Sequence, residues 1–149
     1  MIDKLLSFLT GEQSAAPSDK DDLQLAVAAL LVEAAWRDDV FDQEERAAVE
    51  QVLCGHFGIS NGEAKDLVAT VEAKGQAGQL FGFTSKIVKA WEEPERIQLI
   101  EMLWEVAYAD GVLDPQEDAL IRKVAGLIYV TDQERGFARK RVRARLGLA

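Results

Sequence analysis

Three features of the sequence predict an all-α fold, a single-domain closed helical bundle with an internal pseudo-two-fold repeat. Apolar residues recur at helical spacing along most of the chain, and no stretch of useful length alternates as a strand would. Capping signals stand at the starts of the periodic segments. The chain also repeats itself: residues 30–52, LLVEAAWRDDVFDQEERAAVEQV, return seventy-two positions later as residues 102–124, MLWEVAYADGVLDPQEDALIRKV. Each copy is a helix, an acidic turn and a second helix. Two copies are too few for an open solenoid, so each is expected to bury the apolar face that the other cannot cover alone.

The chain is 149 residues long and 48% hydrophobic. That suits one domain, able to hide roughly two thirds of its unfolded surface without covalent staples. A single cysteine, Cys54, excludes an intrachain disulfide and fits a reducing compartment. No apolar run reaches the roughly eighteen residues of a membrane span, and the opening MIDKLLSFLT has too short an apolar core for a secretory signal. A cytoplasmic location is the expectation. The net charge of −9 is unevenly spread, with 11 basic and 24 acidic side chains in residues 1–131 but 6 and 2 in residues 132–149. An acidic body argues against nucleic-acid binding, because phosphate contacts need lysine and arginine. It suits cations or basic protein partners.

Residues 1–19 form a leading segment, and residues 20–149 the helical domain. Ile2, Leu5, Leu6 and Leu9 make one stripe of a short amphipathic helix, followed by a linker of Gly, Ser, Ala and Pro. Such a tail docks on the domain or a partner, or touches a membrane surface through residues 1–9. The first domain helix starts near Ser18 or Asp19 and carries Leu23, Ala26, Val27, Leu30, Leu31 and Ala34 on an apolar face. Apolar residues spill onto its other faces, as they do in residues 97–108, which makes these two matched helices the candidates for the centre of the bundle. Val49, Val52, Leu53 and Phe57 mark a second helix ending near Gly58, and Ser60 with Glu63 opens a third through a capping box. Residues 74–82, with three glycines, read as a loop before a helix through Phe83, Ile87 and Trp91. Pro94 suits the first turn of the long helix bearing Glu105. Thr131 and Glu134 repeat the capping box, one position out of register, ahead of a final helix carrying Arg135, Arg139, Lys140, Arg141, Arg143 and Arg145. Basic residues toward a helix C-terminus agree with its dipole and ordinarily make a solvated face; docking on an acidic surface is the other use.

The chemistry is concentrated in the turns, where each copy reads D-x-x-x-D-x-x-E: Asp38, Asp42 and Glu45, then Asp110, Asp114 and Glu117. Capping accounts for Asp42 with Glu45 and for Asp114 with Glu117, with Pro115 at the first helical position. It does not account for Asp38 and Asp110, which follow the last turn of a helix, where the dipole disfavours an anion and two more carboxylates stand close by. A bound cation would compensate, since hard divalent ions take carboxylate and carbonyl oxygens. One turn offers three carboxylates against the roughly six to eight oxygens of calcium or six of magnesium, so water, carbonyls or the second turn must complete a site. Glu33 and Glu105, at the edges of apolar helix faces, and Asp39 in the first turn are further candidate carboxylates. The spacing is not that of a twelve-residue EF-hand loop.

A helix ending in an A-L-x-Y-A-D-G-x-L-D-P-x-E pattern, matched best here at Ala109, Asp110, Gly111, Asp114 and Glu117 and echoed at Asp38, Asp42 and Glu45, resembles the TerB-like family associated with tellurite resistance. That family is similar in turn to the helical domain of some membrane-anchored DnaJ-type co-chaperones. The resemblance covers about residues 20–145. It implies a bundle of about seven helices, no catalysis, and a part in stress responses to metals or oxyanions through acidic, metal-chelating turns. The first copy departs from the pattern at Asp39, where the second has Gly111; aspartate tolerates a left-handed backbone less well than glycine.

Other chemistry is thinly supported. Cys54 and His56 lie on one helix, too close in sequence and facing too differently to share a soft metal, and the four ligands of structural zinc are absent. Paired carboxylates serve as acid and base in hydrolysis, but they need an apolar cleft to separate their pKa values, whereas these stand on polar turns. The expectation is a non-enzymatic module that binds a divalent cation, calcium or magnesium ahead of zinc, through its two turns. The alternative is a metal-free adaptor that engages a protein through its acidic surface or its basic terminal helix.

Overall fold

A computed structural model describes residues 19–36, 41–74 and 80–148. The leading segment through residue 18, including the amphipathic stripe, lies outside the described residues, as do Asp38 and Asp39 of the first turn. Among the described residues there are seven helices and no strand: α1 (Asp19–Ala35), α2 (Gln43–Phe57), α3 (Asn61–Lys74), α4 (Leu80–Ala90), α5 (Glu93–Ala107), α6 (Pro115–Leu127) and α7 (Asp132–Arg145). None is long and apolar enough to cross a membrane.

The helix starts follow local chemistry. Ser60 Oγ accepts the Glu63 N–H and Glu63 Oε1 accepts the Ser60 N–H, the reciprocal pair that satisfies two otherwise unpaired donors of α3. Thr131 and Glu134 do the same for α7. Gly58 ends α2 at φ +65°, a left-handed cap that glycine adopts without strain. The expected loop over residues 74–82 is shorter than its glycines imply, because α4 already starts at Leu80 and includes Gly82. A helical glycine costs about 1 kcal/mol relative to alanine. Packing of α4 on α1 and α6, with Ile87 wholly buried, outweighs it.

The two helices predicted to be central are central. From Ala26 to Ala35 every residue of α1 except Glu33 is buried, and α5 buries Leu99, Ile100, Met102, Leu103, Trp104, Val106 and Ala107. Each fully buried large aliphatic or aromatic side chain contributes about 1.5–3 kcal/mol. Helix α1 packs against α2, α3, α4, α5 and α6; α5 packs against α1, α2, α6 and α7. The two sequence copies therefore fall on α1–α2 and α5–α6, and each central helix touches the second helix of the other copy. That cross-packing brings the C-terminal end of α1 and the start of α2 close to the C-terminal end of α5 and the turn that follows it.

Candidate functional site

In the first copy, Asp42 caps α2: its Oδ1 accepts the Glu45 N–H at 2.8 Å while Glu45 Oε1 accepts the Asp42 N–H at 3.2 Å. The residue before the cap is fixed as well. Phe41 stacks on Trp36 with ring centroids 5.6 Å apart, and the Arg46 guanidinium lies 5.0 Å from the Phe41 centroid. Arg46 in turn makes a two-pronged pair with Glu72 of α3, at 2.6 and 3.2 Å. The exit from the first turn is thus tied to both α2 and α3.

The second turn is described throughout. Tyr108 closes α5, and its carbonyl accepts the Gly111 N–H at 2.8 Å. Gly111 sits at φ +84°, a backbone conformation that side chains resist. Asp110 Oδ1 accepts the Val112 N–H at 3.0 Å, and Asp114 Oδ1 accepts the Gln116 N–H at 2.7 Å. The local bond to Val112 gives Asp110 a compensation that helix polarity alone does not foresee. Glu117, one turn into α6, points inward and is only 2% exposed.

A pocket of about 190 Å³ lies between the start of α2 and the second turn. Asp42, Glu44 and Glu45 line it from the first copy and Asp110 and Glu117 from the second, over apolar walls that include Ala35, Ala48, Val106 and Ala107. Of the carboxylates expected there, Asp42, Glu45, Asp110 and Glu117 are present, and Asp114 is not among the lining residues. Glu44 is an addition; the second copy has Gln116 at that position, so the repeat carries no signal for it. Glu33 is exposed beside Leu80 and Phe83, at a separate narrow cleft. Glu105 is committed elsewhere: its Oε1 lies 3.1 Å from His56 Nε2 and 2.7 Å from Arg145. Burial alone would raise the Glu105 pKa, but the hydrogen bonds and charges of His56 and Arg145 prevail and hold it below the ordinary glutamate value.

Among the described residues, the side-chain donors lining the pocket are all carboxylate oxygen, the chemistry that hard divalent cations take, with none of the nitrogen or sulfur that zinc prefers. Cys54 contacts Asn61 at 3.4 Å and His56 contacts Glu105, so the one thiol and the one imidazole are engaged away from the turns and from each other. Among the described residues no three acidic, histidine or cysteine side chains converge closely enough to grip a bare ion. The pocket's volume is many times the roughly 10–15 Å³ that one water needs on the same measure, so it has room for several waters.

The basic terminal helix is not simply a solvated face. Arg141 reaches Glu101 at 3.0 Å, and Arg145 bridges Glu101 at 2.8 Å and Glu105 at 2.7 Å. Arg139 donates to the Tyr108 hydroxyl at 2.6 Å, and Arg143 donates to the Leu148 carbonyl at 2.8 Å. The hydrogen bond to Glu101 raises the Arg145 pKa above its ordinary value. Most of the arginines that a partner would need are spent within the chain.

Fold and site together define a small all-helical domain whose carboxylates gather where the start of α2 meets the second turn and the start of α6. The chain belongs to the TerB family: residues 24–140 match the family described as Tellurite resistance protein TerB. No curated protein and no solved structure matches it.

Proposed function

We propose that this is a non-enzymatic TerB domain that binds a hydrated divalent cation, magnesium or calcium, in the pocket between its acidic turns, as part of a cytoplasmic response to metal or tellurite stress. The observation that carries this reading is the meeting of carboxylates from both copies on one pocket of about 190 Å³. Magnesium surrenders water reluctantly and is ordinarily held by one or two carboxylates through a partly retained shell, which suits donors too dispersed for full direct ligation. A binding role is favoured over catalysis because the described lining offers carboxylates with alanine and valine, and among those residues no hydroxyl, thiol or imidazole to act as nucleophile or shuttle. The test is titration calorimetry of magnesium, calcium, manganese and zinc into the wild type and Asp110→Ala. Heat with magnesium or calcium that Asp110→Ala diminishes supports the reading; the absence of heat from every ion in the wild type refutes it.

The second reading is a metal-free adaptor, in which the same pocket receives a lysine or arginine of a protein partner. It draws on the α7 arginines, which show acidic helix surface in this chain already holding guanidinium groups at Glu101 and Glu105. Because those arginines are occupied, the acidic pocket rather than the basic helix is the surface this reading uses.

A further inference from the structure

The basic terminal helix has no part in cation binding as described, yet it grips the residue from which the second acidic turn springs. Tyr108 is 3% exposed, and its hydroxyl accepts the Arg139 Nε–H at 2.6 Å. Its ring also lies 5.8 Å from the Arg139 guanidinium and 5.3 Å from that of Arg143, both on α7. On the backbone side, the Tyr108 carbonyl accepts the Gly111 N–H that closes the turn, and Asp110 follows two positions later. The matched residue of the first copy, Trp36, is 38% exposed and stacks on Phe41 within its own repeat. Only the second turn is anchored to α7 in this way among the described residues.

We propose that α7 is a strut that orients the second acidic turn, with Arg139 and Arg143 acting through Tyr108 as positioning residues for Asp110; its consequence for cation affinity rests on the reading given above. The strut and simple electrostatics predict opposite signs. Removing a positive side chain near a carboxylate pocket tightens a bound cation by Coulomb's law alone. Removing the strut loosens it.

The experiment is magnesium and calcium titration calorimetry on the full chain, comparing wild type, Tyr108→Phe, Arg139→Gln and Arg141→Gln. Arg141 shares the helix but binds Glu101 rather than Tyr108. Affinity should fall at least about five-fold in Tyr108→Phe and Arg139→Gln, the lower end of ordinary coupling between sites. In Arg141→Gln it should hold or tighten. Should Arg139→Gln fail to fold, Tyr108→Phe carries the test, since it keeps the ring and loses only the hydroxyl. Unchanged or tighter binding in a folded Tyr108→Phe overturns the inference. Amide exchange at Gly111 and Val112, measured without metal, separates the two proposals. If wild type gives no heat with either ion, the cation reading falls, and faster exchange at these amides in Tyr108→Phe still upholds the strut. Unchanged exchange there overturns it.

Discussion

Gly111 offers a direct measure of how tightly the second turn is held to its shape. Its φ of +84° lies where a side chain strains the backbone, while an added Cβ meets nothing within 4 Å. The cost of Gly111→Ala is therefore conformational and not steric. A left-handed alanine is strained by about 1–2 kcal/mol, and the stiffer unfolded chain returns about 0.5–1. The net loss should be about 1 kcal/mol, or about 2–4 °C in Tm for a domain near this size. Gly111→Asn should lose less, because asparagine bonds its own backbone and visits this region more readily. It also approximates the first copy, which has Asp39 at the matched position. Urea unfolding of the three proteins gives the ranking, wild type above Asn above Ala. An alanine variant as stable as wild type, or an asparagine variant below alanine, would refute the account of the turn.

Tyr129 is the one non-glycine at positive φ among the described residues, at +62°, with a side chain 71% exposed. Tyr129→Gly should raise stability by about 0.5–1 kcal/mol, since the relieved strain exceeds the added chain entropy and little burial is lost; a lower urea midpoint would contradict this. Glu105, whose pKa is depressed in the folded state, contributes stability that is full above the ordinary value of 4.5 and fades as pH falls through its lowered folded value. The stability gap between wild type and Glu105→Gln should accordingly shrink from pH 6 to pH 3, and a gap constant across that range would tell against it. Asp42→Asn should keep the α2 cap and near wild-type stability while weakening magnesium binding, whereas Asp42→Ala should lose both, with about 1 kcal/mol of stability. Equal thermal stability of the Asn and Ala variants would show that Asp42 is not acting as a cap.

The helices were legible because their determinants are local. Ser60 with Glu63, Thr131 with Glu134, Asp42 with Glu45, and Pro94 and Pro115 act within one turn of where they stand, so spacing alone places them. The central positions of α1 and α5 were legible too, because a helix apolar on several faces has to be enclosed on several faces. Side-chain destinations were harder. Glu105 looks like a companion to the acidic turns until His56, forty-nine positions earlier, and Arg145, forty positions later, are seen to claim it. The terminal arginines read as a solvated run for the same reason, since Glu101 and Tyr108 lie far away in sequence. Glu44 enters the pocket where α2 packs against α5, a contact that no repeat or cap encodes. At Gly82, a helix breaker by propensity, packing on α1 decides the outcome.

Sequence alone sets capping and cation binding as rival explanations for the same carboxylates, and the geometry removes the rivalry. A carboxylate has two oxygens and about four acceptor positions, so one oxygen can cap while the other faces a pocket. Asp42 uses Oδ1 on the Glu45 N–H and Asp110 uses Oδ1 on the Val112 N–H. Each of these bonds fixes the plane of its carboxylate before any cation arrives, which lowers the ordering cost that binding would otherwise incur. Glu117 reaches the same end by burial. The features that make these turns good helix boundaries therefore also hold a stationary rim of negative oxygen, and on the cation reading proposed above the cap at Asp42 and the bond at Asp110 would serve binding as much as the fold.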